Sequence, residues 1–130
     1  MYKSITTNLM VENVDESIAF YQDVLGFSVV DSVPSEKGGL QFAIMQKEGF
    51  QIMLQEKSSM ISEYPNMDTP KVQPSVTIYI EVDDFDSVYH DIKGKHKILC
   101  DIHETFYGAK EFAIVDNSGY VLTFAKHQAQ

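Results

Sequence analysis

The chain has one cysteine, Cys100, no tryptophan and only four prolines. A lone thiol cannot close an internal disulfide, so nothing implies an oxidising compartment. Positive charge is also scarce: 10 Lys and Arg stand against 19 Asp and Glu, a formal net charge of −9. That balance excludes the basic footprint of a nucleic-acid binder and disfavours docking on anionic lipid. No apolar run approaches the ~20 residues of a membrane span. Met1-Tyr2-Lys3-Ser4-Ile5 lacks the apolar stretch of a secretory signal. These absences predict a soluble cytoplasmic protein with neither nucleic acid nor membrane as partner. What is present suffices for a core: 130 residues, 44% apolar and 12% aromatic, fit one domain.

The sequence repeats itself. Ile5, Leu9 and Val11 fall at alternate positions, the period of a half-buried strand. Asn13 is a candidate N-cap with Glu16 three residues on. Val14, Ile18, Tyr21 and Leu25 follow at helical spacing and Gly26 ends the run. Strands are expected at Phe27–Val33, Leu40–Gln46 and Phe50–Gln55. A polar stretch with Pro65, Pro70 and Pro74 reads as linker or exposed loop. Then the order restarts. Val76, Ile78, Ile80 and Val82 alternate with Thr77, Tyr79 and Glu81, and Asp84 is the next candidate cap, ahead of a helix over about Phe85–Lys93. Lys97–Asp101 and Lys110–Val115 supply further strands. Asp84 lies 71 residues after Asn13, and Gly119-Tyr120-Val121-Leu122 lies 70 after Gly49-Phe50-Gln51-Ile52.

This pattern predicts an α+β fold: tandem βαβββ modules forming two curved mixed sheets around a cleft, one helix on the outer face of each. Within a single domain over 1–130, module one covers about 4–57, a loop about 58–73, and module two about 74–127. Period-two geometry turns Ile5, Leu9 and Val11, and Val76, Ile78, Ile80 and Val82, toward the helices. Thr6, Asn8, Met10, Thr77, Tyr79 and Glu81 take the opposite face, whose mixed character suits a cleft lining.

Two segments resemble the vicinal oxygen chelate superfamily, which includes glyoxalase I, fosfomycin- and bleomycin-resistance proteins and extradiol dioxygenases. One is Val11 to Phe27, with Phe20-Tyr21 and Leu25-Gly26-Phe27. The other is Tyr107 to Tyr120, with Asp116-Asn117-Ser118-Gly119. Read physically, Phe20, Leu25 and Phe27 are core anchors and Asp116–Gly119 is a tight turn. The resemblance implies four positions for metal ligands, one on the first and one on the last strand of each module, filled by His, Glu or Gln in metal-dependent members. Here they fall on Thr6, Met53, Thr77 and Thr123. A neutral hydroxyl is a poor ligand for a divalent ion, and a thioether suits only soft metals. The likeness is therefore to the metal-free bleomycin-resistance-like branch, with no metal and no cofactor.

Other chemistries lack a motif. His90, His96, His103 and His127 have no ligand spacing and read as surface histidines. Ser58-Ser59 reads as linker and Gly38-Gly39 as a turn. Cys100 reads as a buried structural thiol. Tyr79 and Glu81 share one face and are candidates to orient a ligand or act as an acid–base pair, with Glu81 equally readable as solvated. No catalytic residue is assigned. The expected function is metal-independent binding of a small molecule, such as an antibiotic or other toxic compound. The alternative is a glyoxalase-like lyase or isomerase, or a dioxygenase. The candidate ligand-binding residues are Asn8, Met10, Met45, Met53, Thr77, Tyr79, Phe106, Tyr107 and Thr123. By resemblance the protein is expected to be a homodimer.

Overall fold

Asn13 caps the first helix as its sequence predicts. In the computed structural model, which describes residues 1–128, its Oδ1 accepts from the Glu16 backbone N–H at 2.9 Å. Helix α1 then runs Val14–Asp23. Asp15 and Glu16 sit in its first turn, where the helix dipole favours negative charge. Gly26, at φ 76°, turns the chain out of the helix and donates its N–H to the Gln22 carbonyl at 3.1 Å. A side chain there would be strained, and its Cβ would meet Lys47 Nζ.

The chain forms two compact units, the first over Met1–Gln73 and the second beginning at Pro74. The first holds strands β1 (Thr7–Val11), β2 (Ser28–Pro34), β3 (Leu40–Lys47) and β4 (Phe50–Glu56). They form an open sheet in the order β1-β4-β3-β2, with β1 parallel to β4 and the other pairs antiparallel. Helix α1 packs on β2, β3 and β4. Beneath it Ala43, Met45 and Leu54 are fully buried. Ile5 departs from expectation: β1 begins two residues later, and Ile5 is 87% exposed.

The stretch expected as linker instead carries a second helix, α2 (Lys57–Glu63), and a short 3-10 turn at Pro65–Met67. Glu56 supplies the N-cap, its carboxylate accepting from the backbone N–H groups of Ser58 and Ser59. Met60 anchors the helix by burial. The two apolar residues among these seven, Met60 and Ile61, are adjacent and leave no helical periodicity to detect.

The second unit repeats the order with β5 (Thr77–Glu81), α3 (Phe85–Lys93), β6 (Cys100–Glu104), β7 (Ala109–Val115) and β8 (Val121–His127). Its open sheet runs β5-β8-β7-β6, with β5 parallel to β8. Both sheets are therefore mixed and four-stranded, and the fold is α+β. Under α3 the core is aromatic. Phe112 stacks on Phe124 at 5.0 Å and meets Phe85 and Tyr89 edge-on at 5.4 and 5.1 Å. Two expectations change here. Asp84 occupies the N-cap position but its side chain makes no capping hydrogen bond. Strand β6 begins at Cys100 rather than Lys97, and as an edge strand exposed along its whole length it leaves Cys100 exposed, not buried.

The aromatic stack predicts where stability resides. Phe112→Ala should cost about 3–5 kcal/mol in urea denaturation. Phe106→Ala, at a residue 100% exposed, should stay within about 0.5 kcal/mol.

Candidate functional site

Pairing register decides which side chains leave the α1 face. Asn8 pairs with Met53, and Met53 with Ile44; Met10 pairs with Gln55, and Gln55 with Phe42. Laterally paired residues share a face, so Asn8, Met10, Ile44, Met53, Gln55 and Phe42 lie opposite α1. Met45 pairs with Ile52 and belongs to the α1 face, where it is fully buried. It is a core residue rather than a lining one. Met10 is on the open face but is also buried, because α2 packs over β1 and β4 there.

Between the rest of this face and α2 lies a cavity of about 570 Å³. The sheet contributes Asn8, Val33, Gln41, Phe42, Met53 and Gln55. The chain after β4 contributes Ser59, Ser62, Glu63 and Tyr64. A polar chain runs along one side. Asn8 Nδ2 donates to Gln55 Oε1 at 2.8 Å, and Gln55 Nε2 donates to Ser59 Oγ at 3.0 Å and Glu63 Oε1 at 3.1 Å. Asn8 Oδ1 is buried without a hydrogen-bond partner. Two sequence candidates, Asn8 and Met53, thus line one cavity. Gln55, Ser59, Ser62, Glu63 and Tyr64 escaped the sequence reading because the helix that presents most of them was not visible.

The second unit gathers a different set. Thr123 pairs with Tyr79 and with Ala113, and Glu111 pairs with Ala125 two residues further along β8. Thr77, Tyr79, Glu111 and Thr123 therefore share the face away from the aromatic core. Glu111 is only 6% exposed, and its Oε2 accepts from the Tyr79 hydroxyl at 2.8 Å and from the Tyr107 hydroxyl. His127 Nε2 lies 3.1 Å from the Tyr79 oxygen. Since the single Tyr79 proton is committed to Glu111, that imidazole nitrogen must carry the hydrogen. His103 Nε2 stands 4.0 Å from Glu111 Oε1.

Tyr79 and Tyr107 were sequence candidates, whereas Glu111 was read as plain strand and both histidines as surface. The partner of Tyr79 is Glu111 rather than Glu81. Phe106 sits on the turn before β7 with its ring edge-on to Tyr107 at 5.1 Å. Burial of its hydroxyl, then the bond to Glu111 and that carboxylate's charge, holds the Tyr79 phenol above the ordinary tyrosine value. The same Glu111 bond raises Tyr107.

Neither sheet offers a hard-cation donor set at the positions implied by resemblance. Thr6 lies just before β1 with Met53 on β4, and Thr77 and Thr123 stand on β5 and β8. Three hydroxyls and a thioether do not fit a divalent ion. Among the described residues no group of three or more His, Cys, Asp and Glu could hold a metal ion. No helix among them is long and apolar enough to cross a membrane.

Two copies of a βαβββ unit, each with an open mixed sheet and a helix on one face, define a duplicated α+β class. The chain belongs to the Glyoxalase/Bleomycin resistance protein/Dioxygenase superfamily, whose profile matches residues 4–124. Solved structures share the fold. A glyoxalase/bleomycin resistance protein/dioxygenase from Nocardioides aligns at TM-score 0.79 and 13% identity, over 98% of this chain and 85% of the other. A glyoxalase-related enzyme from Fulvimarina pelagi aligns at 0.77 and 14%, over 98% and 89%. TioX from Micromonospora sp. ML1 aligns at 0.73 and 15%, over 98% and 100%. No curated protein sequence matches the chain at a significant level.

The tyrosine cluster predicts an alkaline weakness. Tyr79 is raised above the model-peptide value of 10.0 in the folded chain, so its contribution to stability is complete below pH ~10 and is lost as pH rises beyond it. The ionised phenol would face the Glu111 carboxylate. Urea midpoints followed from about pH 8 to about pH 11 should fall more steeply for the wild type than for Tyr79→Phe. Parallel curves would remove the coupling.

Proposed function

We propose that the chain is a metal-independent small-molecule binding protein of the bleomycin-resistance type, sequestering an antibiotic or other toxic compound. The observation that carries this reading is the first unit's cavity. Its volume of about 570 Å³ falls within the ~300–1,000 Å³ of sites for drug-sized molecules. Its composition is also that of such a site. Val33, Phe42 and Met53 offer apolar contact, and Asn8, Gln55 and Glu63 are polar groups held in place by one another. Met53 adds a flexible thioether that adapts to irregular ligands. In the second unit Thr77, Tyr79, Tyr107 and Thr123 are proposed as ligand-binding residues of that unit's own face, because they share a face or a hydrogen-bond network with Glu111. Metal independence is supported by the hydroxyl and thioether donors at the four implied ligand positions. The proposal places the protein in the cytoplasm, as its single cysteine suits.

A compound panel read by thermal shift tests the binding. A ligand at 100 times its Kd should stabilise the fold by about 2.7 kcal/mol. The shift should survive an excess of chelator and should shrink in Phe42→Ala. Failure of every compound, or loss of the shift on chelation, would contradict the reading.

The proposal also includes a homodimer, on resemblance to the family. Light scattering should then report about twice the 14.7 kDa chain mass; a monomer at working concentration removes that part.

A further inference from the structure

We infer that the group recognised in the first unit's cavity is an organic cation: an ammonium, amidinium or guanidinium carried on an apolar body. This rests on the reading of that cavity as the ligand site and adds the chemical class. Glu63 is the one charged side chain among the lining residues; no Lys, Arg or His is among them. Lys57, the only cation on α2, donates instead to the Pro70 carbonyl at 2.8 Å.

Hydrogen-bond direction points the same way. A carboxylate only accepts, so the Gln55 amide must turn its Nε2 to Glu63, at 3.1 Å. Gln55 Oε1 then faces Asn8, which must present Nδ2 to it, at 2.8 Å. The Asn8 carbonyl is thereby turned away and is left without a partner. The orientations of both amides follow from the one group that cannot donate. Of Glu63, only Oε1 is engaged. The charged group left for a ligand along this polar side is therefore an acceptor, the second Glu63 oxygen, the unpartnered Asn8 carbonyl being buried. At that oxygen a ligand group that only accepts would oppose lone pair to lone pair, and an anion would meet the Glu63 charge in a chain of net charge −9. A neutral donor satisfies the hydrogen bonds but forgoes the charge. A cationic donor meets both needs, and the rings of Phe42 and Tyr64 lining the same cavity favour a cation over their faces.

Three probes carried on one phenyl ring separate the possibilities: benzylammonium, the near-isosteric benzyl alcohol, and benzoate, titrated into the isotope-labelled full chain with amide shifts read by NMR. A hydrogen bond to a charged group is worth about a tenfold gain in affinity over its neutral counterpart. Benzylammonium should thus bind about tenfold tighter than benzyl alcohol, with shifts at Asn8, Gln55 and Ser59, and benzoate should bind weakest. In Glu63→Gln the side-chain oxygen can still accept from Gln55, so the fold is kept while the charge is removed. There the preference for ammonium over alcohol should collapse while alcohol binding persists. Equal or tighter binding of the alcohol or benzoate by the wild type overturns the inference and leaves the cavity reading standing. So does an ammonium preference unchanged in Glu63→Gln. If none of the three moves the cavity amides, both fail together.

Discussion

The open face of the first unit depends on the burial of one amide. Gln55 is 7% exposed near the end of β4, and a buried amide without partners costs several kcal/mol. Its Oε1 is met by Asn8 on the neighbouring strand. Its Nε2 needs acceptors, and they come from the chain that follows immediately. Ser59 and Glu63 lie four and eight residues on, one and two helical turns away, so a helix begun at Lys57 brings both back to the same amide. Helix α2 is therefore held over the sheet by the group it satisfies, and in closing over β1 and β4 it buries Met10 and forms one wall of the cavity. The same contact that stabilises the helix presents Glu63 to the cavity.

Wherever strong periodicity existed, the architecture was legible in the sequence. Asn13 with Glu16, the apolar run to Leu25 and the left-handed Gly26 all read correctly, and the 71-residue echo from Asn13 to Asp84 located the second unit. Where the physics is non-local, reading failed. Met45 was placed on the wrong face because parity in β3 depends on its pairing with Ile52, which a single strand does not reveal. Met10 had the right face, but its burial depends on a helix absent from any hydrophobic pattern. Glu111 was read only as part of the strand Lys110–Val115, since the hydroxyls that satisfy it come from Tyr79, 32 residues away, and from Tyr107 across a turn. Cys100 was read as core from its apolar neighbours Ile98 and Leu99, yet β6 is an edge strand whose residues all remain exposed. Asn8 and Tyr79 lie where alternation alone sends them, away from the helices, and Met53 lies where the resemblance puts a last-strand ligand position.

Lining up the two sheets by register shows how the duplicated face diverged. In the first unit one row across the sheet reads Asn8, Met53, Ile44, and the next reads Met10, Gln55, Phe42. In the second the corresponding rows are Tyr79, Thr123, Ala113 and Glu81, Ala125, Glu111. Met53 and Thr123, the last-strand positions where metal-dependent relatives would carry ligands, sit in the first of these rows. The buried hydrogen-bonding group sits in the second row in both units, on β4 as Gln55 and on β7 as Glu111. Each is engaged by a residue of the first row, Asn8 in one unit and Tyr79 in the other. An aromatic hydroxyl is long enough to reach a carboxylate two strands away, whereas the shorter asparagine needs its acceptor on the adjacent strand. Ala125, standing where Gln55 stands in the first unit, leaves room between them for that longer reach. The same fold thus keeps a polar pair on the same face of each half while exchanging an amide–amide contact for a phenol–carboxylate one, and the two faces offer different chemistry to whatever meets them.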